Sequence, residues 1–325
     1  MNTLTFPILK LLCDGKFHSG EAIAKYFNVS RTHVWNALQD AEELGVEIFA
    51  VRGRGYQLPN ATTLLNPQTV RACFESPPHW LQLEVHDFLP STNSYLMHHM
   101  STCTHGTCVA ANLQTQGRGR RGRQWQAGLG ASLTFSLLWR FQCGASALSG
   151  LSLAVGVALI RALHALGFVQ AKLKWPNDVL VDSKKLAGIL IELQGDAEGP
   201  TAAVIGIGIN LHLPHHLKQQ IDQPATDLTS MHGQAVNPNT LLATLLIHLK
   251  TVLETFETEG FSALHDEWSK HHAYHAKTVK MLMPDGREIQ GLVQSVAEDG
   301  SLLINTDHGL QRFVSGEISL RVLEK

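Results

Sequence analysis

Neither sign of charge dominates this chain. Its 26 basic and 28 acidic side chains leave a net charge of −2, which excludes wholesale coating of nucleic acid or membrane and confines any such contact to a local patch. Long apolar runs are lacking too. The longest, residues 145–160, is too short to span a bilayer and leads into Arg161 and His164, so a buried helix is expected and no membrane partner. No basic region followed by an apolar run and a small-residue cleavage site opens the chain, so no signal peptide is expected. Cysteine is sparse: Cys13, Cys73, Cys103, Cys108 and Cys143 are odd in number and form no C-x-x-C pair, which predicts reduced thiols and a cytoplasmic protein. Metal signatures are missing as well. The 18 histidines include His212, His215 and His216, then His271, His272 and His275, but no H-E-x-x-H and no acidic or cysteine complement accompanies them, so solvated histidines are expected.

What is present is an ordinary globular composition, with 44% hydrophobic and 17% charged side chains over 325 residues, enough for two or three domains. Residues 1–60 read as three short helices and a hairpin. Phe6, Ile8, Leu9, Leu11 and Leu12 open an apolar helix that stops near Asp14 and Gly15. Ser19 caps a second, with Glu21 in its first turn and Ala22, Ile23, Tyr26 and Phe27 as its buried stripe. Ser30 caps a third, on which Val34, Ala37, Leu38, Ala41 and Leu44 recur at helical spacing until Gly45 ends it. Two amphipathic helices joined by Asn28, Val29 and Ser30 make a helix-turn-helix, whose second helix would enter a DNA major groove with Arg31, Thr32 and Asn36 as base readers. Strands over 46–51 and 56–58 flank Arg52, Gly53, Arg54 and Gly55, a basic turn placed like the wing of a winged helix. A protein-binding platform would use the same three helices. The segment's six basic side chains meet six acidic ones, so a single copy would bind DNA weakly and two copies on paired half-sites are expected.

After a linker near 58–63 the pattern alternates. Strands over 83–88, 108–112, 131–140, 179–182, 186–193 and 203–211, with helices after Asn93 and over 145–166, 239–258 and 261–269, predict a mixed sheet. From 277 onward, short strands punctuated by Pro284-Asp285-Gly286, Glu298-Asp299-Gly300 and Asp307-His308-Gly309 predict a small β-barrel. The expected domains are therefore 1–62, 63–272 and 273–325.

One stretch builds no core at all. Residues 117–123, G-R-G-R-R-G-R, hold four guanidinium groups and three glycines, a composition suited to gripping carboxylate or phosphate oxygens and equally to a solvated basic loop. Gly117, Gly119 and Gly122 satisfy the dinucleotide pattern G-x-G-x-x-G, yet no apolar helix follows and Gln142 stands where an acid should be. The kinase version fails too, for want of a Val-Ala-Ile-Lys strand or a His-Arg-Asp segment.

Five segments carry polar groups that a core does not need: S-T-N at 91–93, Q-T-Q at 114–116 before the arginine loop, K-W-P-N-D at 174–178, K-L-A-G-I-L-I-E at 185–192 and G-I-G-I-N at 206–210. Taken singly, these are a helix cap, a strand end or a solvated hairpin. In this order, and with the terminal G-E-I-S-L-R, they resemble biotin protein ligases, and the whole chain resembles the bifunctional bacterial biotin ligase and biotin operon repressor. That resemblance implies an α+β multidomain chain: an N-terminal winged helix-turn-helix, a central mixed-sheet α/β domain like that of class II synthetases, and a C-terminal SH3-like β-barrel. It implies ATP-dependent formation of biotinyl-5′-AMP and transfer of biotin to a lysine of the biotin carboxyl carrier protein, with the adenylate as corepressor at operator DNA and the protein a homodimer when adenylate-bound.

By the same resemblance Lys185, Arg118 and Asp178 are catalytic, and Ser91, Thr92, Asn93, Gln114, Arg118, Gly119, Arg120, Lys185 and Gly188 hold biotin. Arg120, Arg121, Trp125, Lys174, Asn177, Asn210 and Arg321 hold the nucleotide, with Mg²⁺ placed by Asp178 and substrate phosphates. Arg31, Thr32, Asn36, Arg52 and Arg54 meet DNA. Gln116 departs from the small residue that many relatives carry before the loop. A lipoate-type acyl ligase with a DNA-binding head, or a DNA-binding regulator that only senses biotin, remains an alternative.

Overall fold

The computed structural model describes residues 2–195, 197–283 and 286–314, and the backbone of 319–322. Three helices and a hairpin open the chain: α1 (Thr5–Leu12), α2 (Gly20–Phe27), α3 (Arg31–Glu43), β1 (Phe49–Val51) and β2 (Gly55–Gln57). The Ser19 hydroxyl accepts from Ala22 N and the Ser30 hydroxyl from His33 N, so both predicted caps satisfy donors that the first helical turn leaves open. Between them Asn28 takes a left-handed conformation, φ 53°, which ends α2 and aims α3 away from it. Ile8, Leu9, Leu12, Ile23, Val34, Ala37, Leu38 and Ala41 form this unit's core. Two expectations need correction. Tyr26 is 72% exposed rather than part of the stripe, and Ile23 with Ala24 does the packing instead. The first wing strand is only three residues long, because residues 46–48 turn inward to bury Val46.

The middle of the chain runs α4 (Pro67–Ala72), β3 (Gln82–Leu89), α5 (Thr92–His99), β4 (Thr107–Gln114), β5 (Gly117–Arg118), β6 (Gln124–Trp125), β7 (Ser132–Phe141), α6 (Leu151–Ala165), β8 (Lys172–Lys174), β9 (Asp178–Val181), β10 (Lys184–Gly195), β11 (Thr201–Asn210), α7 (His215–Gln219), α8 (Leu228–His232), α9 (Pro238–Glu259) and α10 (His265–Lys270). Seven of these strands form one mixed sheet in the order β3-β4-β7-β11-β10-β9-β8, parallel between β3 and β4 and antiparallel elsewhere. The central strands β4 and β11 are buried along their whole length, so both faces are covered. On one face Leu133, Phe135, Leu137, Ile205, Ile207 and Ile209 meet α6 and α9; on the other Val109, Ala111, Leu138, Ala202 and Val204 meet Leu96 and Met100 from α5 and its end. The predicted helix over 145–166 is split. A short 3₁₀ turn ends at Leu148, Gly150 adopts φ 81°, and α6 begins after it.

Five C-terminal strands, β12 (Thr278–Leu282), β13 (Glu288–Val296), β14 (Leu302–Thr306), β15 (Gly309–Phe313) and β16 (Ser319–Val322), make a small antiparallel sheet ordered β15-β14-β13-β12-β16. Its Val279, Met281, Val293, Leu302 and Ile304 join the same core as α6 and α9. At the opposite end, Leu113 of β4 is buried in the winged-helix core, Phe6 lies 6.3 Å from Phe88 between ring centroids, and Lys10 Nζ is 2.8 Å from Asp87 Oδ2. No helix among the described residues is long and apolar enough to cross a membrane.

Candidate active site

The period-2 alternation that packs one face of the sheet also clears a floor on the other. On β11 the residues facing α5 are Ala202 and Val204, then Gly206, Gly208 and Asn210, so at the two glycines side chains vanish where α5 begins. That bare strip is covered closely. A Cβ on Gly206 would lie 1.9 Å from Asn93 Oδ1, and one on Gly208 would lie 2.5 Å from Trp125 Cε2, so neither position admits a side chain without displacing its cover. Ser91, at the start of α5, accepts from Ser94 N, as the bland reading of S-T-N expected, while Thr92 donates from its backbone to Gln114 Oε1 at 2.9 Å and has its hydroxyl 3.2 Å from the same oxygen.

Two cavities open over this floor. The narrower, about 60 Å³, is lined by every residue expected to hold biotin: Ser91, Thr92, Asn93, Gln114, Arg118, Gly119, Arg120, Lys185 and Gly188. The wider, about 400 Å³, is lined by Arg120, Arg121, Trp125, Lys174, Asn177, Asp178 and Asn210, which are the described residues expected to hold nucleotide and metal, and by Lys185. Arg321 is set apart: its backbone pairs with Lys280, and its side chain lies outside the described residues. Gly119, Arg120, Trp125, Asn177 and Lys185 border both cavities, so the two meet there.

The arginine stretch is a folded hairpin. β5 and β6 pair as Gly117 with Trp125 and Arg118 with Gln124, and between them Arg121 holds φ 60°, a left-handed conformation costly for a residue with a Cβ. This hairpin swings the Trp125 indole over Gly208 and Gly188 and leaves its Nε1 buried without a hydrogen-bond partner among the described residues. Lys185 Nζ stands 5.7 Å from the Trp125 ring centroid and 2.7 Å from Asp178 Oδ1, while Lys174 Nζ is 3.9 Å from Asp178 Oδ2. Both oxygens of the Asp178 carboxylate, whose side chain is 12% exposed, are thus paired with ammonium groups. Arg120 donates to Asn177 Oδ1 at 3.1 Å, and burial pushes its guanidinium pKa down, with the Asp178 charge opposing that effect. Asn210 uses its amide nitrogen on the carbonyls of Thr226 and Lys185, at 2.9 and 3.3 Å, so it frames the cavity wall. Gln116 points outward and only its backbone is engaged, through a 2.8 Å bond to Pro90 O.

K-W-P-N-D divides its labour. Trp175 borders the wider cavity but is fully buried, and it donates from Nε1 to Gly300 O at 3.0 Å across to the C-terminal sheet. Sequence reasoning missed Glu192 and Ser136. Both sit on the floor's face by strand alternation, and Glu192 closes the very K-L-A-G-I-L-I-E motif in which only Lys185 and Gly188 were given roles.

The residues expected to meet DNA lie on a separate surface. Arg31, Thr32 and Asn36 are exposed on α3, and Arg52 and Arg54 in the turn between β1 and β2, where the Arg54 guanidinium lies 4.1 Å from the Phe17 ring centroid. Trp35, one turn beyond Arg31, is 53% exposed beside them. The grouped histidines divide. His212, His215, His216 and His275 are exposed, but His272 is buried against Trp268, at 4.6 Å between ring centroids, because residues 271–273 pair with β8.

Residues 85–210 match the biotin/lipoate A/B protein ligase family, 5–57 an HTH domain and 277–321 the biotin protein ligase C-terminal domain. Bifunctional ligase/repressor BirA of Escherichia coli is 35% identical over 324 residues, covering 100% of this chain and 99% of that protein. A biotin--[acetyl-CoA-carboxylase] ligase of Paracoccus denitrificans is 32% identical over 65% of this chain and 88% of its own length. Among solved structures, biotin protein ligase from Aquifex aeolicus in complex with biotin and ATP aligns with a TM-score of 0.65 at 30% identity, over 74% of this chain and 99% of that one.

Proposed function

The chain belongs to the family of bifunctional biotin ligase/repressors, and we propose that its two adjoining cavities carry out the two halves of one adenylation. It is an ATP-dependent biotin ligase for the biotin carboxyl carrier protein and a repressor of biotin biosynthesis genes. The observation that supports the site assignment is the border shared by the cavities, with the Lys185 ammonium on it.

Biotin's valerate end must reach the α-phosphate of ATP, and both are anions. Lys185 stands where the two meet, with Arg120 beside it, so these cations offset the repulsion and hold the charge that grows at phosphorus. A carboxylate oxygen forms the new bond to the α-phosphorus as the bond to pyrophosphate breaks. A carrier lysine, as its free amine, then attacks the acyl carbon; the C–N bond forms, AMP leaves with the former anhydride oxygen, and the amine's proton passes to solvent. Ser91, Thr92 and Gln114 suit the neutral ureido ring, which needs partners in a slot narrow enough to exclude water. The half-buried indole of Trp125 borders the wider cavity and offers it a flat face suited to adenine.

Mg²⁺ fits here only as an ion brought with the triphosphate. Asp178 offers one largely buried carboxylate, and two ammonium groups crowd it, so phosphates and water must supply the remaining ligands. The ion would neutralise phosphate charge. The domain limits 1–62, 63–272 and 273–325, a cytoplasmic location, adenylate-dependent pairing of two chains and operator contact through Arg31, Thr32, Asn36, Arg52 and Arg54 complete this reading. A near-neutral DNA head favours pairing, since one copy neutralises few phosphates.

The test is direct. Mixed with biotin, ATP, Mg²⁺ and a carrier domain, the protein adds one biotinyl mass to the carrier and none from lipoate. Lys185→Ala lowers single-turnover adenylate formation by at least about a hundredfold, the scale of a lost electrostatic group at a charge-developing centre. Adenylate formation at the unsubstituted rate would overturn the role given to Lys185.

A further inference from the structure

We infer that Glu192 is a positioning residue for biotin, a strut that fixes Arg118 of the hairpin to Asn93 at the wall of the narrow cavity. The inference rests on the site assignment above and adds a residue to it.

Glu192 lies on β10, four residues beyond Gly188 and on the same face, where the sheet turns toward the start of α5. Its Oε1 is 2.9 Å from Arg118 Nη1, and its Oε2 accepts from Arg118 Nη1 at 3.0 Å and from Asn93 Nδ2 at 2.9 Å. Asn93 Nδ2 also donates to Leu190 O at 3.3 Å, so two acceptors fix which end of the amide faces the strand. The Asn93 oxygen therefore faces Ser136, whose Oγ is 2.5 Å away and also lies 2.8 Å from Thr92 Oγ1. A serine has one proton to give, and the amide oxygen has none, so that proton goes to Asn93 and the Thr92 hydroxyl bonds to Ser136 or Gln114. The result is one chain of polar contacts from Arg118 through Glu192, Asn93, Ser136 and Thr92 to Gln114, in which the last four are buried, Glu192 is half-buried and Arg118 reaches solvent.

Arg118 alone is half-exposed, and a free arginine on a glycine-rich hairpin would sample many rotamers. The strut removes that freedom before substrate arrives. It also sets a carboxylate beside a guanidinium that must later face another carboxylate, so biotin meets an arginine already held in place and only partly neutralised. No such argument reaches the nucleotide, because neither Glu192 nor Asn93 borders the wider cavity.

The test compares steady-state kinetics of adenylate formation for Glu192→Ala, Glu192→Gln and Arg118→Ala in the full-length protein. Glu192→Ala raises the biotin KM by about tenfold or more, the scale of a lost charge-assisted hydrogen bond, while the ATP KM and kcat stay within about twofold. Glu192→Gln, which keeps an oxygen able to accept from both donors, restores most of the biotin KM. In the double Glu192→Ala/Arg118→Ala variant the two losses do not add. An unchanged biotin KM in Glu192→Ala, when Arg118→Ala raises it, overturns the strut alone; an unchanged biotin KM in Arg118→Ala overturns the biotin site on which it rests. Parallel rises in both KM values with a lowered melting temperature would show a merely structural carboxylate and also overturn the proposal.

Discussion

Single residues decide whether the floor of the site exists. Gly208 has no side chain, and the space a Cβ would take belongs to the Trp125 indole. Gly208→Val is expected to raise the biotin KM by about tenfold or more, since forcing extra methyls into a filled site costs about 1–3 kcal/mol; steady-state kinetics check this, and an unaltered KM would mean Trp125 moves aside freely. Gly206 stands in the same relation to Asn93. The sequence marked both glycines as part of a motif, but it could not say what each one touches. That is set by which residues the sheet brings opposite them, and Asn93 is more than a hundred positions away along the chain.

Elements that depend on neighbours in sequence were legible from sequence. The caps at Ser19 and Ser30 are made within three residues, so residue type alone foretold them. What failed was direction. Tyr26 has helical spacing for burial, yet the space it would fill is taken by Ile23 and Ala24 and by side chains from α1 and α3. The helix over 145–166 broke at Gly150, which takes a left-handed φ of 81° and lies too close to Phe261 to carry a Cβ, a contact no local pattern encodes. Glu192 escaped notice because a strand's faces cannot be assigned until one of its residues is known to line a site. On α3 the same point yields an expectation. Trp35 is large, apolar and exposed on the face that carries Arg31, Thr32 and Asn36, where a thymine methyl would meet it. Trp35→Ala should weaken binding to the operator by about tenfold, the scale of one apolar base contact, while adenylate synthesis stays within about twofold. Fluorescence anisotropy of labelled operator DNA, with adenylate present, measures it; equal affinities would remove Trp35 from the groove.

Stability belongs to the whole molecule, and here it carries a pH signature. His272 is buried, and desolvation, helped by the charges of His275 and Lys277, pushes its pKa down from 6.5 to about 3. Below pH 6.5 the unfolded chain takes up a proton that the folded one refuses, so stability falls as pH falls and is flat with respect to this group above 6.5. Denaturant midpoints at pH 7 and pH 5 should differ by on the order of 1–2 kcal/mol in unfolding free energy. His272→Leu should flatten that slope; an equal slope in the variant would assign the acid sensitivity to other groups.

The bond from Trp175 Nε1 to Gly300 O reaches beyond local packing. A helix-turn-helix, a mixed sheet and a small C-terminal sheet that follow one another along the chain suggest parts that could be exchanged among proteins or cut apart for use. Yet the segment that places Asn177 and Asp178 at the wider cavity is anchored on the C-terminal sheet, and without it a buried indole N–H would have no acceptor. The catalytic unit is therefore not portable by itself. A break in the segment that joins the helix-turn-helix to the mixed sheet is expected to be tolerated more readily than one just ahead of β12, and a protease nick ahead of β12 is expected to silence the ligase although both of its cavities are lined from residues before the cut.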